Sequence, residues 1–345
     1  MKNLSHTLHL VIPGLLNCSP FQLKFPNMSL PSLEWLLARA QISTASTAID
    51  NILFEVFGLP ILPDADLPIA SITRLVDRSD IDDGWWMRAD PVHFRTDLHS
   101  VFLIDARSLA IEHEEAQDLT TAFNQTFIDS ELQQIEALQP QRWYLRLANN
   151  PRIRTYSLGT AAGRDVRHFL PYGPDKQRWH KLFTEVQMLF NSHPVNKLRE
   201  ERKKPLINGI WFWGGGTCPT SVRAPVARIY AEDPLSCGLA QISGLSISKV
   251  PLSANDWLAT VDSRLDSIVV LETTRYDSID GDIELWANHI RSLENKWFTD
   301  CLKWIKNGRL AALYIYPDNG KIYSLTSPAR WYFWKYPKPL CDYLH

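Results

Sequence analysis

The sequence has little of what marks the more easily read classes of protein. Its five cysteines, Cys18, Cys218, Cys237, Cys301 and Cys341, are odd in number and far apart. With no CxxC pair there is no zinc-ribbon or dithiol motif, and reduced thiols in a cytoplasm are the expectation. Charge of one sign is also missing: 36 basic against 38 acidic side chains leave a formal -2. Without a field to attract a polyanion, nucleic acid is not an expected partner. No apolar run approaches the length of a membrane span, so no membrane association is expected. The apolar stretch at 8–16 is broken by Pro13 and Gly14 and follows a single basic residue; it reads as a first core strand rather than an export signal. Internal repeats and low-complexity segments are absent.

What is present is the composition of a globular protein. The chain has 345 residues, 45% apolar and 21% charged, enough for one large domain or two ordinary ones. Thirteen tryptophans are most simply core residues, since each indole buries a large area. Leu8, Leu10 and Ile12 alternate with Thr7, His9 and Val11, the period of a strand. A helix is predicted after Pro31, with Leu33, Leu36, Leu37 and Ala40 on one face and Ser32 as its cap. Pro60, Pro63, Asp64 and Asp66 form a rigid polar connection, where a domain boundary is placed.

Beyond it, extended segments at 85–88 and 101–104 joined through Asp90-Pro91, a helix at 111–127 and a strand at 142–147 suggest a small mixed lobe. The strongest helical period lies at 177–193, with Trp179, Leu182, Phe183, Val186, Leu189 and Phe190 spaced three or four apart and Pro194 as the stop. A strand at 207–213 runs into Gly214-Gly215-Gly216. Further strands at 267–271, 311–316 and 321–325, a long helix at 282–306, and a hairpin turn at Asp318-Asn319-Gly320 complete the order. Strands separated by helices imply an α/β sheet flanked by helices.

Several features have both a functional and a structural reading. The glycine triplet has the backbone freedom to cradle a phosphate, yet lacks the following Lys-Ser/Thr of a P-loop and is explained as well by a tight turn. His193 either contacts a ligand or ends a helix. Arg88, Asp90, His93 and Arg95 either read an anion or form a solvated turn. Glu112-His113-Glu114-Glu115 lacks metalloprotease spacing and reads as an exposed first helical turn. The aromatic run at 331–336 either presents a partner surface or packs on its own domain.

In order along the chain these pieces resemble the archaeal-type, cofactor-independent phosphoglycerate mutases of the alkaline phosphatase superfamily, and more closely their bacterial relatives, the RpfE-type regulatory proteins. The resemblance rests on Leu30-Pro31-Ser32-Leu33 through Arg39, Phe57-Gly58-Leu59, Arg88-Ala89-Asp90 and the segment at 102–106. It continues through His193-Pro194-Val195-Asn196 with Arg199, Pro205 and Asn208, then Trp213-Gly214-Gly215-Gly216, and finally Gly281-Asp282. It implies an alkaline phosphatase-like core made of residues 1–66 and 175–345, with an inserted α+β lobe at 67–174.

An active mutase of this type is expected to hold two divalent cations with aspartates and histidines and to pass the phosphoryl group through a serine. The departures fall on those groups. Pro13-Gly14 stands where the family has Asp-Gly, and Ile49 aligns with the serine, beside Asp50, with Ser43, Ser46 and Thr47 as alternatives in another register. The Asp-x-x-x-His positions read Arg275 and Ile279, and the later Asp-His pair reads Asp318-Asn319. Proline, isoleucine and arginine do not ligate such cations.

The expectation is therefore a regulatory or binding protein on a mutase-like scaffold, with no metal or cofactor and no assigned catalytic residue. Its partner is an unidentified protein or a small phosphorylated metabolite. Candidate ligand-binding residues are Asp50, Arg88, Asp90, His93, Arg95, His193, Asn196, Trp213, Gly214, Gly215, Gly216, Arg275 and Asp318. The alternative class is an enzyme, a phosphoglycerate mutase or phosphohydrolase using manganese or zinc with Asp50, Asp318 and His193.

Overall fold

The computed structural model describes residues 6–16, 28–80, 82–220, 222, 224, 226–260, 266–326, 328–329 and 334–344, with the backbone alone at 278–280. Cys18 and residues 331–333 of the aromatic run lie outside the described residues. Among those described, the strands in chain order are β1 (His6–Val11), β2 (Gln41–Thr44), β3 (Trp85–Thr96), β4 (Val101–Ile104), β5 (Leu132–Gln139), β6 (Arg142–Leu147), β7 (Gly209–Gly216), β8 (Arg228–Tyr230), β9 (Ser246–Ser248), β10 (Ser267–Val270), β11 (Leu310–Tyr316) and β12 (Lys321–Thr326).

The chain divides into two compact units, residues 1–60 with 221–345, and residues 61–220. In the first, a seven-stranded sheet runs in the order β2-β12-β11-β1-β10-β8-β9. The five strands from β11 to β9 are parallel, and β12 and β2 continue by antiparallel pairing. Leu8 and Leu10 of β1 are fully buried, as their alternation predicts, and join a core with Leu33, Leu36, Trp286, Ile290 and Trp297 from the flanking helices. The fold class is thus the mixed α/β one expected, a central sheet flanked by helices.

Two helix expectations change here. Ser32 does not cap the helix Pro31–Arg39. Instead the Glu294 carboxylate accepts hydrogen bonds from the backbone N–H groups of Ser32 (2.7 Å) and Leu33 (2.9 Å), a negative charge placed at the positive helix end. Glu294 reaches inward because the predicted long helix is interrupted: Ile283–Leu293 and Thr299–Asn307 are joined by a π-helical turn, Glu294–Phe298.

The second unit is built on β3, which pairs antiparallel with β6, β4 and β7, while β5 pairs with β6. β3 does not stop before Asp90-Pro91. Pro91 falls between the residues that pair with β6 and those that pair with β4, and on the other side of β3 it stands opposite Ile210 of β7. The sequence reading places 175–216 with the core sheet; the structure places it in this second unit, because β7 adds to β3 from Gly209↔Val92 to Gly216↔Trp86. The glycine triplet is likewise no closing turn. It continues β7, with Gly214 at φ 64° and a register shift opposite Trp86–Arg88, the signature of a bulge.

Candidate functional site

Parallel strands of an α/β sheet bring their carboxyl ends, and the loops that follow, to one edge, where such folds bind ligands. In the first unit that edge gathers residues 12–14 after β1, 231–233 after β8, 271–275 after β10 and 317–319 after β11, with each strand's register fixed by its neighbour.

Side chains from later in the chain hold the turn after β1. Gly14, at φ 77°, donates its N–H to Asp318 Oδ1 (3.0 Å) and its carbonyl accepts from Trp286 Nε1 (2.7 Å). The Pro13 carbonyl accepts from the buried Thr274 hydroxyl (2.7 Å). Asp318 therefore serves as a clamp on this turn, itself at φ 53° in the tip between β11 and β12. Asp50 is buried in the first turn of the helix Ile49–Val56. Of the other hydroxyls near Ile49, Ser46 Oγ accepts from the Ala48 N–H (3.1 Å) and Ser43 lies on the exposed strand β2.

Two acids the sequence reading did not select complete the edge. Asp233 caps the helix Pro234–Ser243, its Oδ1 accepting from the Ser236 N–H (2.8 Å), and its buried Oδ2 has no hydrogen-bond partner. The Asp-Pro pair at a helix start was the available signal. Glu272 forms an ion pair with Arg275, three residues on. Burial raises the Glu272 carboxyl above its usual range; Arg275 opposes this, while the charges of Asp233 and Asp50 add to it. Burial, with the charges of Asp233, Glu232 and Glu272 adding to it, pushes the Cys237 thiol up to about 11, which favours the protonated thiol. Asp277 bonds to His289 Nδ1 at 2.6 Å.

The residues at this edge do not fit a pair of divalent cations. Pro13 has no side-chain ligand, the Arg275 guanidinium is itself a cation, and among the described residues no set of three or more His, Cys, Asp or Glu is placed to hold a metal ion.

The remaining candidates lie in the second unit and do not form one site. Arg88 and Asp90 are an internal pair: Arg88 Nε and Nη2 donate to Asp90 Oδ1 (3.0 and 2.6 Å), and Trp213 Nε1 donates to Oδ2 (2.7 Å). His93 Nδ1 bonds to the Leu206 carbonyl (2.9 Å), and Arg95 is exposed beside the Phe102 ring. His193 caps the next helix, its Nδ1 accepting from the Val195 N–H (3.3 Å), and burial lowers its pKa. Asn196 is spent on the Phe190 and Ile207 backbone.

The glycines are required by packing: a Cβ on Gly215 would stand 2.0 Å from the Trp85 ring, and one on Gly216 2.7 Å from Pro68. The Gly214 N–H is taken by Thr155 Oγ1 (3.2 Å). Beside them opens a cleft of about 600 Å³ lined by Trp85, Tyr172, Arg152, Arg154 and Asp66. Its arginines are already paired, Arg152 with Asp175 and Arg154 with Asp66.

Fold and site together define an α/β protein whose core sheet carries the Glu272–Arg275 ion pair at its carboxyl edge. No protein-family profile matches the chain. Part of it is 34% identical, over 94 residues, to the probable 2,3-bisphosphoglycerate-independent phosphoglycerate mutase of Geobacter sulfurreducens, 26% of this chain and 24% of that protein. A 57-residue stretch is 35% identical to the corresponding mutase of Methanosarcina mazei, 16% of this chain and 14% of that one. These matches span about a quarter or less of the relatives' length. Among solved structures, the PH0037 protein of Pyrococcus horikoshii superposes with a TM-score of 0.54 at 14% identity, over 93% of this chain and 87% of that one, which shows a shared fold. The cofactor-independent phosphoglycerate mutase of Thermoplasma acidophilum superposes at 0.45 with 16% identity, over 93% and 90%. The chain is thus similar in parts of its sequence to cofactor-independent phosphoglycerate mutases. No helix among the described residues is long and apolar enough to cross a membrane.

Proposed function

We propose that this protein is regulatory, binding a phosphorylated metabolite or a protein partner in the cytoplasm on a mutase-like scaffold, and that it turns nothing over. The observation that carries this reading is the Glu272–Arg275 ion pair at the carboxyl edge of the sheet. A two-cation phosphoryl transfer needs anionic or imidazole donors there, and a fixed positive charge repels what such donors would hold. Asp318 and Asp50 do not compensate, since the first clamps the Gly14 N–H and the second is buried at a helix start. The four described cysteines are unpaired, in keeping with a reducing compartment.

The test takes purified protein through chelation and reloading with manganese or zinc, followed by assays of phosphoglycerate interconversion and phosphate-ester hydrolysis. The expected result is no turnover above background and no stoichiometric metal, together with a rise in melting temperature for one or more phosphorylated metabolites, since a ligand that prefers the folded state must stabilise it. Turnover that is lost on chelation and restored by metal would assign the protein to the enzymes.

A further inference from the structure

The segment at 334–344 returns along the helix Pro31–Arg39. Lys335 Nζ donates to the Ala40 carbonyl at the end of that helix (3.1 Å), and the Leu340 N–H donates to Glu34 Oε1 in its first turn (3.1 Å), so the two run in opposite directions. Leu340 and Leu344 anchor the segment in the core of this unit, while Trp334 and Tyr336 stand 58% and 78% exposed at its other end. One residue before Ala40, the Arg39 guanidinium lies 4.4 Å from the centre of the Trp35 ring, and Lys306 Nζ, from the helix Thr299–Asn307, lies 4.8 Å from it. The end of the helix thus collects Arg39, Lys306 and Lys335 beside two exposed rings. The one acid in the helix, Glu34, is committed to the Leu340 N–H. Arg39 Nη1 is shut off from solvent with no acceptor among the described residues, and burial lowers the pKa of the guanidinium. A cation desolvated without a counter-charge is held at a cost, which an anionic group brought to its outer side offsets.

We propose that Arg39, Lys306, Lys335, Trp334 and Tyr336 form a docking surface for an acidic segment of a partner protein, whose carboxylates meet the three cations and whose apolar side chains meet the two rings. The inference takes up the protein-partner arm of the regulatory reading and rests on it. Tryptophan, tyrosine and arginine are the residues that dominate protein interfaces, since they bring large rigid area and forked donors to one place. Patch size selects among anionic partners. The whole chain carries a formal -2, so an extended polyanion such as nucleic acid or an anionic bilayer meets no attractive field beyond the patch. A short acidic segment instead lies within a Debye length, about 8 Å, of these cations.

The test is fluorescence anisotropy of the full-length protein with a short dye-labelled peptide of alternating glutamate and leucine, set against a lysine-leucine peptide of the same length. Wild type is expected to bind the acidic peptide at least about tenfold more tightly than the basic one, and to release it as salt is raised. The double variants Arg39→Gln/Lys306→Gln and Trp334→Ser/Tyr336→Ser are each expected to weaken binding about tenfold or more. The second pair changes exposed rings, so it decides the matter even where the first fails to fold; melting temperatures check both. Equal binding of the two peptides by wild type, or of neither, overturns the proposal, as does full binding by a folded Trp334→Ser/Tyr336→Ser. Preference for phosphatidylserine vesicles or a single-stranded oligonucleotide over the acidic peptide overturns it in favour of a bilayer or nucleic acid. A sedimenting dimer that the same variants disperse overturns it in favour of a second copy of the chain. Failure to bind the peptide, with no turnover and with a metabolite-induced rise in melting temperature, leaves the regulatory reading standing; metal-dependent turnover removes that reading whatever the peptide does, so the two failures are told apart.

Discussion

His9 illustrates how a single strand residue acquires its chemistry from partners far along the chain. Its ring stacks on Tyr314 (4.7 Å between centroids, 7° between planes), and Nδ1 bonds to the Tyr316 hydroxyl at 2.9 Å. Burial lowers its pKa to about 4, with Asp266 opposing. Well above pH 6.5, the value of the unfolded chain, the imidazole is neutral in both folded and unfolded chains and has no pH-linked effect. As the pH falls from there towards 4, the unfolded chain takes up a proton that the folded chain refuses, so stability drops. The loss is on the order of 2 kcal/mol, less than the full shift implies because the ring keeps partial access to water. Unfolding free energies of wild type and His9→Phe measured between pH 7 and pH 4 check this: the difference should move in favour of the variant as the pH falls, and a pH-independent difference would show that His9 takes up its proton in the fold as readily as in the unfolded chain. The alternation of 6–12 marks His9 as opposite in direction to the buried Leu8, but nothing in it names Tyr314 or Tyr316. For Asp233 the Asp-Pro pair marks a helix start, but its strand-end position equivalent to that of Glu272 follows only from the pairing of β8 with β10.

At the scale of elements, the His193-Pro194-Val195-Asn196 motif turns out to be a clasp. Pro194 occupies the first turn of the helix Pro194–Glu201, the Asn196 amide donates to the carbonyls of Phe190 and Ile207 (2.8 Å each), and its oxygen accepts from the Ile207 N–H (2.8 Å). Arg199, fully buried, donates to the Pro205 carbonyl (2.8 Å), to Glu115 (2.5 Å) and to the Leu109 carbonyl. These bonds fix the approach of the chain to β7. Asn196→Leu takes the partner from the Ile207 N–H and carbonyl, while the Phe190 carbonyl keeps the His193 N–H (3.1 Å), and is expected to lower stability by about 2–4 kcal/mol. Arg199→Lys, which cannot spread its donors over three acceptors, is expected to cost about 2–3 kcal/mol. Urea denaturation at 25 °C measures both, and losses below about 1 kcal/mol would place these side chains outside the clasp. The helix before the motif was legible because its burial follows a 3.6-residue period: Trp179, Leu182, Phe183, Val186 and Phe190 are all buried. The π turn at Glu294–Phe298 was not, because the groups its Glu294 meets, at the start of the helix Pro31–Arg39, lie far along the chain and no local pattern names them.

For the molecule as a whole, the boundary at Pro60 shows in the proline- and aspartate-rich sequence, whereas the return at 220 does not. The strand period of 207–213 announces β7 without saying which sheet it joins, and the answer depends on pairing with β3, more than a hundred residues earlier in the chain. That pairing is reinforced by Asn208, whose side chain accepts from the Phe94 N–H (2.7 Å) and donates to its carbonyl (3.0 Å); the helix Lys176–Ser192 is tied to the same sheet where Phe190 meets the Trp143 ring of β6 edge-on at 6.2 Å. Residues 61–220 therefore contain every strand of their sheet and the helix Lys176–Ser192 that covers it, and expressed alone they are expected to unfold in one cooperative transition by circular dichroism. Residues 67–174 lack β7 and that helix, which leaves one side of β3 unpaired and the buried Trp143 and Phe212 contacts unmade, so that fragment is expected to aggregate or to melt without a transition. Equal behaviour of the two fragments would mean that β7 is dispensable to the second unit and that the shorter boundary describes it better.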